Sequence, residues 1–267
     1  MSPHVPDLPC VDLPAVLDHA GLEAASRLAY RVAHCLGNAT TVLCGNARRL
    51  RREIVDLEFD SQAKRCLRNM DEGLACLSEL DFAFSRFLGL PDDAGAGCCL
   101  AEELTGRRWT EFLAGCPPPL AVEPEVCVDA GAESLPPVRV APERLRAALA
   151  ALLRNADEAQ ADTADPRIRV MLSRVTLSGE ELARMLNWGA RPGQYGRLAV
   201  EDGGEGIPGG VLPNIFTPAY STRMRHEGFG LSLVYGLVKS MGGDAALGLC
   251  TEPGRGTRVS LYFHTQF

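Results

Sequence analysis

The sequence lacks the marks of a membrane or secreted protein. Its longest strictly apolar run covers residues 147–153, whereas a membrane-spanning helix needs roughly 18 apolar residues. The first residues, MSPHVPDLPC, contain neither a basic stretch nor an apolar stretch, so no secretory signal peptide is expected. We therefore expect a cytoplasmic chain without a membrane span.

A basic excess and metal-type cysteine spacing are also absent. The 267 residues include 27 Lys and Arg against 34 Asp and Glu, and this acidic balance disfavours nucleic acid as a partner. Ten cysteines are present, but no two have the C-x-x-C spacing. The pattern predicts neither a zinc site nor a disulfide framework, so we expect small buried cysteines in a reducing compartment. With 46% apolar and 23% charged residues, the composition is that of a globular protein.

The first part of the chain has heptad spacing. Apolar residues recur at steps of three, four or seven, which predicts one long helix over about residues 22–58. A second stripe predicts a helix over residues 67–88, which ends before Pro91. The two helices would form an antiparallel hairpin over residues 21–90, and a second copy would cover its apolar face in a dimeric four-helix bundle.

Beyond a linker at residues 91–97, helical and strand-like runs alternate. Helices are predicted at 142–162 and 231–241. Strands are predicted at 120–122, 126–128, 167–173, 197–201 and 257–263. This pattern predicts an α+β domain over residues 98–267, a sandwich with helices on one face of a mixed sheet. Residues 1–20 remain as an N-terminal segment.

The predicted helix at 142–162 carries two polar residues beside its apolar stripe. Asn155 and Glu158 are three residues apart, so they share a face that can lie over a pocket. The apolar positions predicted to face the sheet are Leu145, Leu149, Leu152 and Ala156.

Two glycine-rich segments follow. EDGGEGIP comes after the strand predicted at 197–201, and HEGFG precedes the helix predicted at 231–241. Glycines before a helix let backbone N–H groups approach phosphate oxygens, although an ordinary turn is the alternative for either segment taken alone. The residues of interest are Asp202, Gly204, Gly206, Gly228 and Gly230.

The order of these motifs is more informative than any one of them. An Asn-bearing helix is followed by DGGEG, IFTPAYSTR, GFGL and GRGT. This series resembles the ATP-binding domain of the GHKL superfamily, with its Bergerat-type fold, and within it the sensor histidine kinases. LPPVRVAPERLRAALAALLRNADEA is similar to the segment that contains the family's N-box, and LSELDFAFSR is similar to the end of the second dimerisation helix. The resemblance extends over nearly the whole chain.

The resemblance implies roles at the adenine end of an ATP site. Asp202 would accept a hydrogen bond from the adenine amino group, and Gly204 and Gly206 would let the backbone pass close to the base. Thr257 would support this end through its hydroxyl, directly or by water. Asn155 would ligate Mg²⁺, a cation that prefers oxygen ligands.

The phosphates and a lid are implied further along the chain. Gly228, Gly230 and the amides leading into Leu231 would hold the phosphates. The lid would begin after Phe216, and Arg223 within it would stabilise charge on the transferred phosphoryl group.

The lid also contains a departure from the family. Arg225 is the alternative to the arginine just named. His226 stands where the family usually has a further glycine, so it would either narrow the lid or add a phosphate contact.

The segment VAHCLGNATTVLCGNARRL resembles the phosphoacceptor box of histidine kinases. His34 falls at the outermost heptad position, and a neutral exposed imidazole is nucleophilic near pH 7. The resemblance implies that His34 takes the γ-phosphoryl group of ATP and passes it to an aspartate of a receiver domain. Cys35 replaces the usual acid, whose loss typically costs a factor of about 10² to 10⁴ in rate. Asn38 matches the residue that places water for dephosphorylating the partner.

The sequence therefore predicts a homodimeric histidine protein kinase that uses ATP and Mg²⁺, with a response regulator and a separate sensor protein as partners. The alternative is a kinase-deficient member that acts as a response-regulator phosphatase, a phosphotransfer protein or an ATP-sensing scaffold. A chaperone-type or DNA-repair-type ATPase is disfavoured because the hairpin with His34 precedes the ATP domain. A redox switch at Cys35 is a further alternative, suggested by its position alone.

Overall fold

The computed structural model of the chain describes residues 8–54, 70, 97–116, 120–161, 163–221 and 228–265. The helices over these residues are α1 (Leu13–Val16), α2 (His19–Ile54), α3 (Leu100–Glu103), α4 (Gly106–Ala114), α5 (Pro142–Glu158), α6 (Gly179–Ala183) and α7 (Gly230–Met241). The strands are β1 (Glu125–Val128), β2 (Ile168–Leu177), β3 (Leu186–Asn187), β4 (Gly193–Asp202), β5 (Ala245–Glu252) and β6 (Gly256–His264). None of these helices combines the length and the apolar character that a membrane crossing requires.

Helix α2 is the long helix that the heptad spacing predicts. Its 36 residues correspond to a length of roughly 54 Å. It begins at His19, earlier than predicted, because the Asp18 carboxylate accepts a hydrogen bond from the Gly21 backbone N–H (2.9 Å) and so caps the helix. Leu22 and Ala29 on its first turns are buried in the main core. The start of the helix is therefore packed against the rest of the protein.

The remainder of the predicted hairpin falls almost entirely outside the described residues. Of the helix predicted at 67–88, the structure describes Met70 alone, and residues 55–66 and 91–96 also lie outside. The antiparallel hairpin and its dimeric bundle therefore stay predictions.

The described strands form one mixed sheet in the order β1-β2-β4-β6-β5-β3. β1 runs parallel to β2, and the other pairs are antiparallel. The register pairs Asp202, the last residue of β4, with Thr257 of β6 and with Ile168 of β2. The topology thus brings two predicted site residues together at one end of the sheet.

Helices α5 and α7 pack on each other and on this sheet, which gives the predicted sandwich. The four apolar positions of α5 predicted to face the sheet are all buried: Leu145, Leu149, Leu152 and Ala156. Burying a leucine side chain stabilises the fold by about 1.5 to 3 kcal/mol, so this face of α5 fixes the helix firmly. The helix ends at Glu158, earlier than the predicted residue 162.

One predicted strand is wrong. Residues 120–122 form no strand, because the backbone N–H groups of Ala121 and Val122 donate to the Asp157 carboxylate of α5 (3.1 and 2.9 Å) instead of to a neighbouring strand. Conversely, β5 was not predicted. Most residues on both faces of this strand are buried, so its sequence lacks the alternation of apolar and polar residues that marks a half-exposed strand.

Residues 8–18 of the N-terminal segment, the part that the structure describes before α2, pack on the sheet domain. Residues 9–11 lie antiparallel to β5: the Val11 N–H donates to the Leu249 carbonyl (2.8 Å), and the Thr251 N–H donates to the Pro9 carbonyl (3.1 Å). Unpaired N–H and C=O groups at a strand edge readily add another strand, and here the chain's own N-terminal segment occupies that edge.

The cysteine prediction is also corrected at this edge. Cys10 and Cys250 form a disulfide bond between the N-terminal segment and β5. Cysteine spacing carries no signal for this bond because the two residues are 240 positions apart. Cys98 and Cys116 do match the expectation of buried free thiols, and burial raises the pKa of the Cys98 thiol to about 12.

Candidate functional site

Asp202 and Thr257 form the end of the site that the sheet builds. They are paired across β4 and β6, and each is only 8% exposed. The Gly204 N–H donates to Asp202 Oδ1 (2.9 Å), which holds the carboxylate at the strand end. A carboxylate has about four lone-pair sites, so one that is already hydrogen-bonded can also accept from a ligand.

A residue that the sequence analysis missed, Thr251 of β5, organises this end. Its Oγ1 accepts from the Ile207 N–H (2.8 Å), donates to the Gly256 carbonyl (3.1 Å) and lies 3.0 Å from Thr257 Oγ1. A hydroxyl carries a single proton, so the Thr257 hydroxyl must be the donor in the last contact. The remaining lone pairs of Thr257 can then accept. Together with the Asp202 carboxylate, they suit a ligand that presents N–H groups.

Two glycines of the first glycine-rich segment have a packing role that the sequence does not predict. A Cβ on Gly204 would overlap the backbone carbonyl of Ala159 at the end of α5. Gly206 has a φ of +67°, and a Cβ there would overlap the carbonyl oxygen of Glu252. The resemblance implies that these two glycines let the backbone pass close to the base, and in the structure their bare Cα atoms face protein backbone. They allow the loop to pack between α5 and the β5–β6 turn.

Gln160, which the sequence does not single out either, links the loop after β4 to the end of α5 through hydrogen bonds. It is 2% exposed, and its amide donates to the Ala156 carbonyl (3.0 Å). Its Oε1 accepts from the backbone N–H groups of Arg167 and Gly203. All of these bonds are buried or partly buried, where hydrogen bonds matter most because water cannot replace a lost partner. A glutamine after a helix carries no sequence signal for this role.

The other end of the site lies where α7 begins. A Cβ on Gly230, the first residue of α7, would lie 2.7 Å from Asn155 Oδ1 of α5. The absence of that Cβ lets the N-terminus of α7 and the half-buried Asn155 amide lie against each other. Gly228 has a φ of +69°, and a Cβ there would lie 2.6 Å from the Tyr220 carbonyl oxygen. This end therefore offers helix N–H groups next to an amide oxygen, which suits phosphate and a hard cation.

Glu158 lies one turn after Asn155 on α5 and is likewise half-buried. The two side chains share a face of the helix, as the spacing predicts. Thus α5 carries both polar residues that the sequence analysis assigned to it.

Phe216 is placed in the core. It is 1% exposed, and its ring centroid lies 6.0 Å from that of Tyr235 on α7. Tyr235 in turn packs edge-on against Trp188 (5.3 Å), and burial raises the pKa of its hydroxyl, which keeps the ring neutral. Leu231 also packs its partly buried side chain against the core, and its backbone N–H lies in the first turn of α7. Phe216 thus anchors the chain before residue 222.

Several predicted site residues cannot be compared with the structure. The lid residues Arg223, Arg225 and His226 lie outside the described residues. Helix α2 includes the positions of the predicted phosphotransfer residues, but their side chains are outside the described part: His34, Cys35 and Asn38.

With the geometry in hand, comparison with known proteins identifies the domain. Residues 140–266 match the family described as histidine kinase-, DNA gyrase B-, and HSP90-like ATPase. The match covers both ends of the site, from α5 to β6, and confirms the predicted GHKL ATP-binding domain.

The relatives are sensor histidine kinases. A segment of 70 residues is 40% identical to the sensor kinase CckA of Brucella abortus (strain 2308) and covers 26% of this chain and 7% of that protein. A segment of 117 residues is 31% identical to the sensory histidine kinase/phosphatase NtrB of Rhizobium meliloti (strain 1021) and covers 41% of this chain and 28% of that protein. The chain therefore spans well under two thirds of the length of these relatives.

A solved structure shares the fold. Full-length ShkA in complex with AMPPNP is similar with a TM-score of 0.56 and 21% sequence identity, over 91% of this chain and 46% of that one. The matched ATPase domain and the two sensor kinase relatives indicate that the chain resembles sensor histidine kinases.

Proposed function

We propose that the chain is a histidine protein kinase of a two-component system. It would bind ATP with Mg²⁺, phosphorylate His34 and transfer the phosphoryl group to an aspartate of a response-regulator receiver domain. The observation that carries the proposal is the pairing of buried Asp202 with Thr257 at the end of the sheet, on the same domain as the Asn155–Gly230 contact. The chain would carry out both phosphorylation steps as a cytoplasmic homodimer, and a separate sensor protein would supply the stimulus.

The adenine end is well suited to a base with an exocyclic amine. Asp202 supplies a carboxylate acceptor, and Thr257 supplies hydroxyl lone pairs because its O–H donates to Thr251 Oγ1. Guanine has a carbonyl oxygen at this position. That oxygen is a hydrogen-bond acceptor, and it would lie against the Asp202 and Thr257 oxygens, which are acceptors too. The site therefore favours adenine over guanine by the penalty of leaving buried polar groups unpaired.

The phosphate end fits a magnesium-bound polyphosphate. Asn155 would hold Mg²⁺ through its amide oxygen, beside Gly228, Gly230 and the first backbone N–H groups of α7. When bound, Mg²⁺ neutralises phosphate charge and so favours transfer. Arg223 is assigned to the transferred phosphoryl group, as the resemblance implies.

Phosphate labelling tests the proposal. The full chain is incubated with γ-labelled ATP and Mg²⁺, and acid-labile, alkali-stable phosphate is measured. We expect labelling that His34→Gln abolishes and that His19→Gln preserves, since His19 is an exposed residue at the start of the same helix. Equal labelling of the wild type and His34→Gln would refute the assignment of His34.

A second candidate function is favoured by Cys35, which directly follows His34. A thiol of ordinary pKa is a poor proton acceptor compared with a carboxylate. In this alternative the chain is a kinase-deficient member: a response-regulator phosphatase using Asn38, a phosphotransfer protein or an ATP-sensing scaffold.

Restoring a carboxylate separates the two functions. Cys35→Glu should raise the labelling rate by about 10²-fold or more if a missing general base is what limits the kinase. Cys44→Glu on the same helix is the matched control and should leave the rate unchanged. If Cys35→Glu labels no faster than the wild type, a missing base is not the limitation.

A further inference from the structure

The contact between the N-terminal segment and β5 places two thiols in the geometry of a disulfide. Residues 9–11 and 249–251 are joined by two backbone hydrogen bonds, 2.8 and 3.1 Å long, one on each side of Cys10 and Cys250. The two cysteines thus occupy a non-hydrogen-bonded antiparallel pair, the position at which opposed side chains approach most closely. Their sulfurs are bonded in the structure.

The segment is also held without the disulfide. Leu8, Leu13 and Leu17 are buried, with Leu13 fully enclosed. The Leu13 N–H donates to the Arg184 carbonyl (3.1 Å), and the Asp18 N–H donates to the Pro213 carbonyl (3.1 Å). Terminal segments are among the parts of a protein that open locally at low free-energy cost, so we expect this segment to detach transiently when no covalent bond is present. The disulfide removes the detached state.

The two cysteines differ in their access to solvent. Cys10 is exposed, whereas Cys250 is buried at 8% exposure. In exchange with a small disulfide RSSR, the Cys10 thiolate attacks one sulfur and expels RS⁻, which leaves a mixed disulfide on Cys10. The Cys250 thiolate then attacks the Cys10 sulfur and expels the second RS⁻. Two protein thiols lose two electrons, RSSR gains them, and the two thiol protons end on the two RSH molecules.

We propose that Cys10 and Cys250 form a reversible redox site that takes small-molecule disulfides as oxidant and locks the N-terminal segment onto the edge of β5. The segment leads directly into α2, on which His34 lies. Phosphoryl transfer needs the imidazole to reach the phosphate to about 3 to 3.5 Å, so a covalent tie at the start of α2 restricts which approaches are possible. This regulatory part rests on the proposed function, whereas the redox site itself does not.

Thiol mapping tests the site without any reference to ATP. The full chain is treated with oxidised glutathione, unreacted thiols are alkylated, and intact mass and peptide maps are recorded. We expect the loss of two alkylatable thiols, a Cys10–Cys250 peptide without a glutathione adduct, and full reversal by dithiothreitol. Cys10→Ser, an exposed change that spares the core, should retain a free Cys250, while Cys99→Ser should behave like the wild type. A stable glutathione adduct on Cys10, a different partner for Cys10, or two thiols that stay free would each overturn the proposal.

Amide hydrogen exchange tests the lock. The Val11 and Thr251 amides bond across the contact, so they should exchange at least about tenfold more slowly in the oxidised protein than in the reduced one. The difference should vanish in Cys10→Ser. Equal exchange in both redox states would contradict a lock.

His34 labelling tests the regulatory part. We expect oxidation to lower the labelling rate by at least about threefold through loss of the detached state, and Cys10→Ser to be insensitive to oxidation. An unchanged or higher rate in the oxidised wild type would overturn the regulation while the mapped disulfide still stands. An absence of labelling in the reduced protein would instead refute the proposed kinase function. The redox site would then still be tested by the thiol-mapping experiment, which does not involve ATP.

Discussion

The two ends of the proposed nucleotide site differ in what their glycines touch. At the adenine end, a Cβ on Gly206 or Gly256 would overlap backbone carbonyl oxygens of neighbouring segments. At the phosphate end, a Cβ on Gly230 would meet the side-chain amide of Asn155. Backbone in a sheet or loop cannot yield without breaking other bonds, whereas a side chain can change rotamer. The adenine end is therefore built into the fold, and the contact at Gly230 is adjustable.

The hydrogen bonds follow the same division. The adenine end is tied together by Thr251 and Gln160, both buried and each bonded to more than one segment. Gly228 is an exception to this contrast. It lies at the phosphate end, but its φ is positive and a Cβ on it would overlap the backbone carbonyl of Tyr220. The adjustable part of the site is thus the contact between α5 and the first residue of α7.

The largest effect is expected for Gly206→Ala. An alanine at a φ of +67° is strained, and its Cβ would push against the Glu252 carbonyl. Together these should lower the free energy of unfolding by about 2 to 4 kcal/mol, measured by urea denaturation of the full chain. Gly209→Ala is the matched control in the same loop, where a Cβ meets nothing within 4 Å, and should change stability by under about 0.5 kcal/mol. Equal stability of the two variants would contradict the inference that neighbouring backbone leaves no room for a Cβ at the adenine end.

Asp202→Asn should separate recognition from folding at this same end. The amide oxygen can still accept from the Gly204 N–H, so the loop should hold. The amide nitrogen, however, would place a donor where adenine also presents donors. We expect ATP affinity to fall by about 10- to 100-fold, since hydrogen bonds to charged groups are worth about 1.5 to 3 kcal/mol.

Calorimetry with ATP and GTP would measure this change in base recognition. The preference for ATP should shrink in Asp202→Asn, and Asp165→Asn, an exposed change, should leave it intact. An unaltered ATP affinity in Asp202→Asn would remove this carboxylate from the site.

Thr251→Val should have a smaller effect that reaches both folding and binding. Valine has nearly the same shape, but it leaves the partly buried Ile207 N–H and the Thr257 hydroxyl without their partner. We expect a loss of about 1 to 2 kcal/mol in stability and a weaker ATP affinity because the Thr257 hydroxyl is no longer oriented. Thr251→Ser, which keeps the hydroxyl, should restore both. If serine does not preserve ATP affinity, the hydroxyl alone does not account for the role of Thr251.

Thr251 also illustrates where sequence reasoning stopped. Asp202 and Thr257 stand in recognisable motifs, so their roles could be proposed before the β4–β6 register brought them together. A threonine in a strand is an ordinary β-former, and its partner Ile207 is 44 positions away. Gln160 was missed for the same reason, because its bonds depend on tertiary packing.

The fold was predictable where periodicity was strong. Helices α5 and α7 and the start of α2 have apolar stripes, and the structure has them close to the predicted residues. Strand β5 has no alternation because it is buried on both faces, and the N-terminal segment joins its edge through backbone bonds that any sequence can make. The Cys10–Cys250 bond depends on that pairing, so neither its partners nor its existence could be derived from spacing.

The smallest effect on stability is expected for Gly230→Ala, at the adjustable contact. Alanine favours a helix over glycine by about 1 kcal/mol, which offsets the about 0.5 to 1.5 kcal/mol of moving the Asn155 side chain off its rotamer. The free energy of unfolding should therefore change by under about 1 kcal/mol, far less than in Gly206→Ala. The displaced amide should instead weaken the ATP affinity measured with Mg²⁺ while leaving the affinity measured without Mg²⁺ nearly unchanged, because Asn155 is the proposed ligand of the cation. If Gly230→Ala unfolds as readily as Gly206→Ala, the two ends are equally rigid and the contrast between them fails.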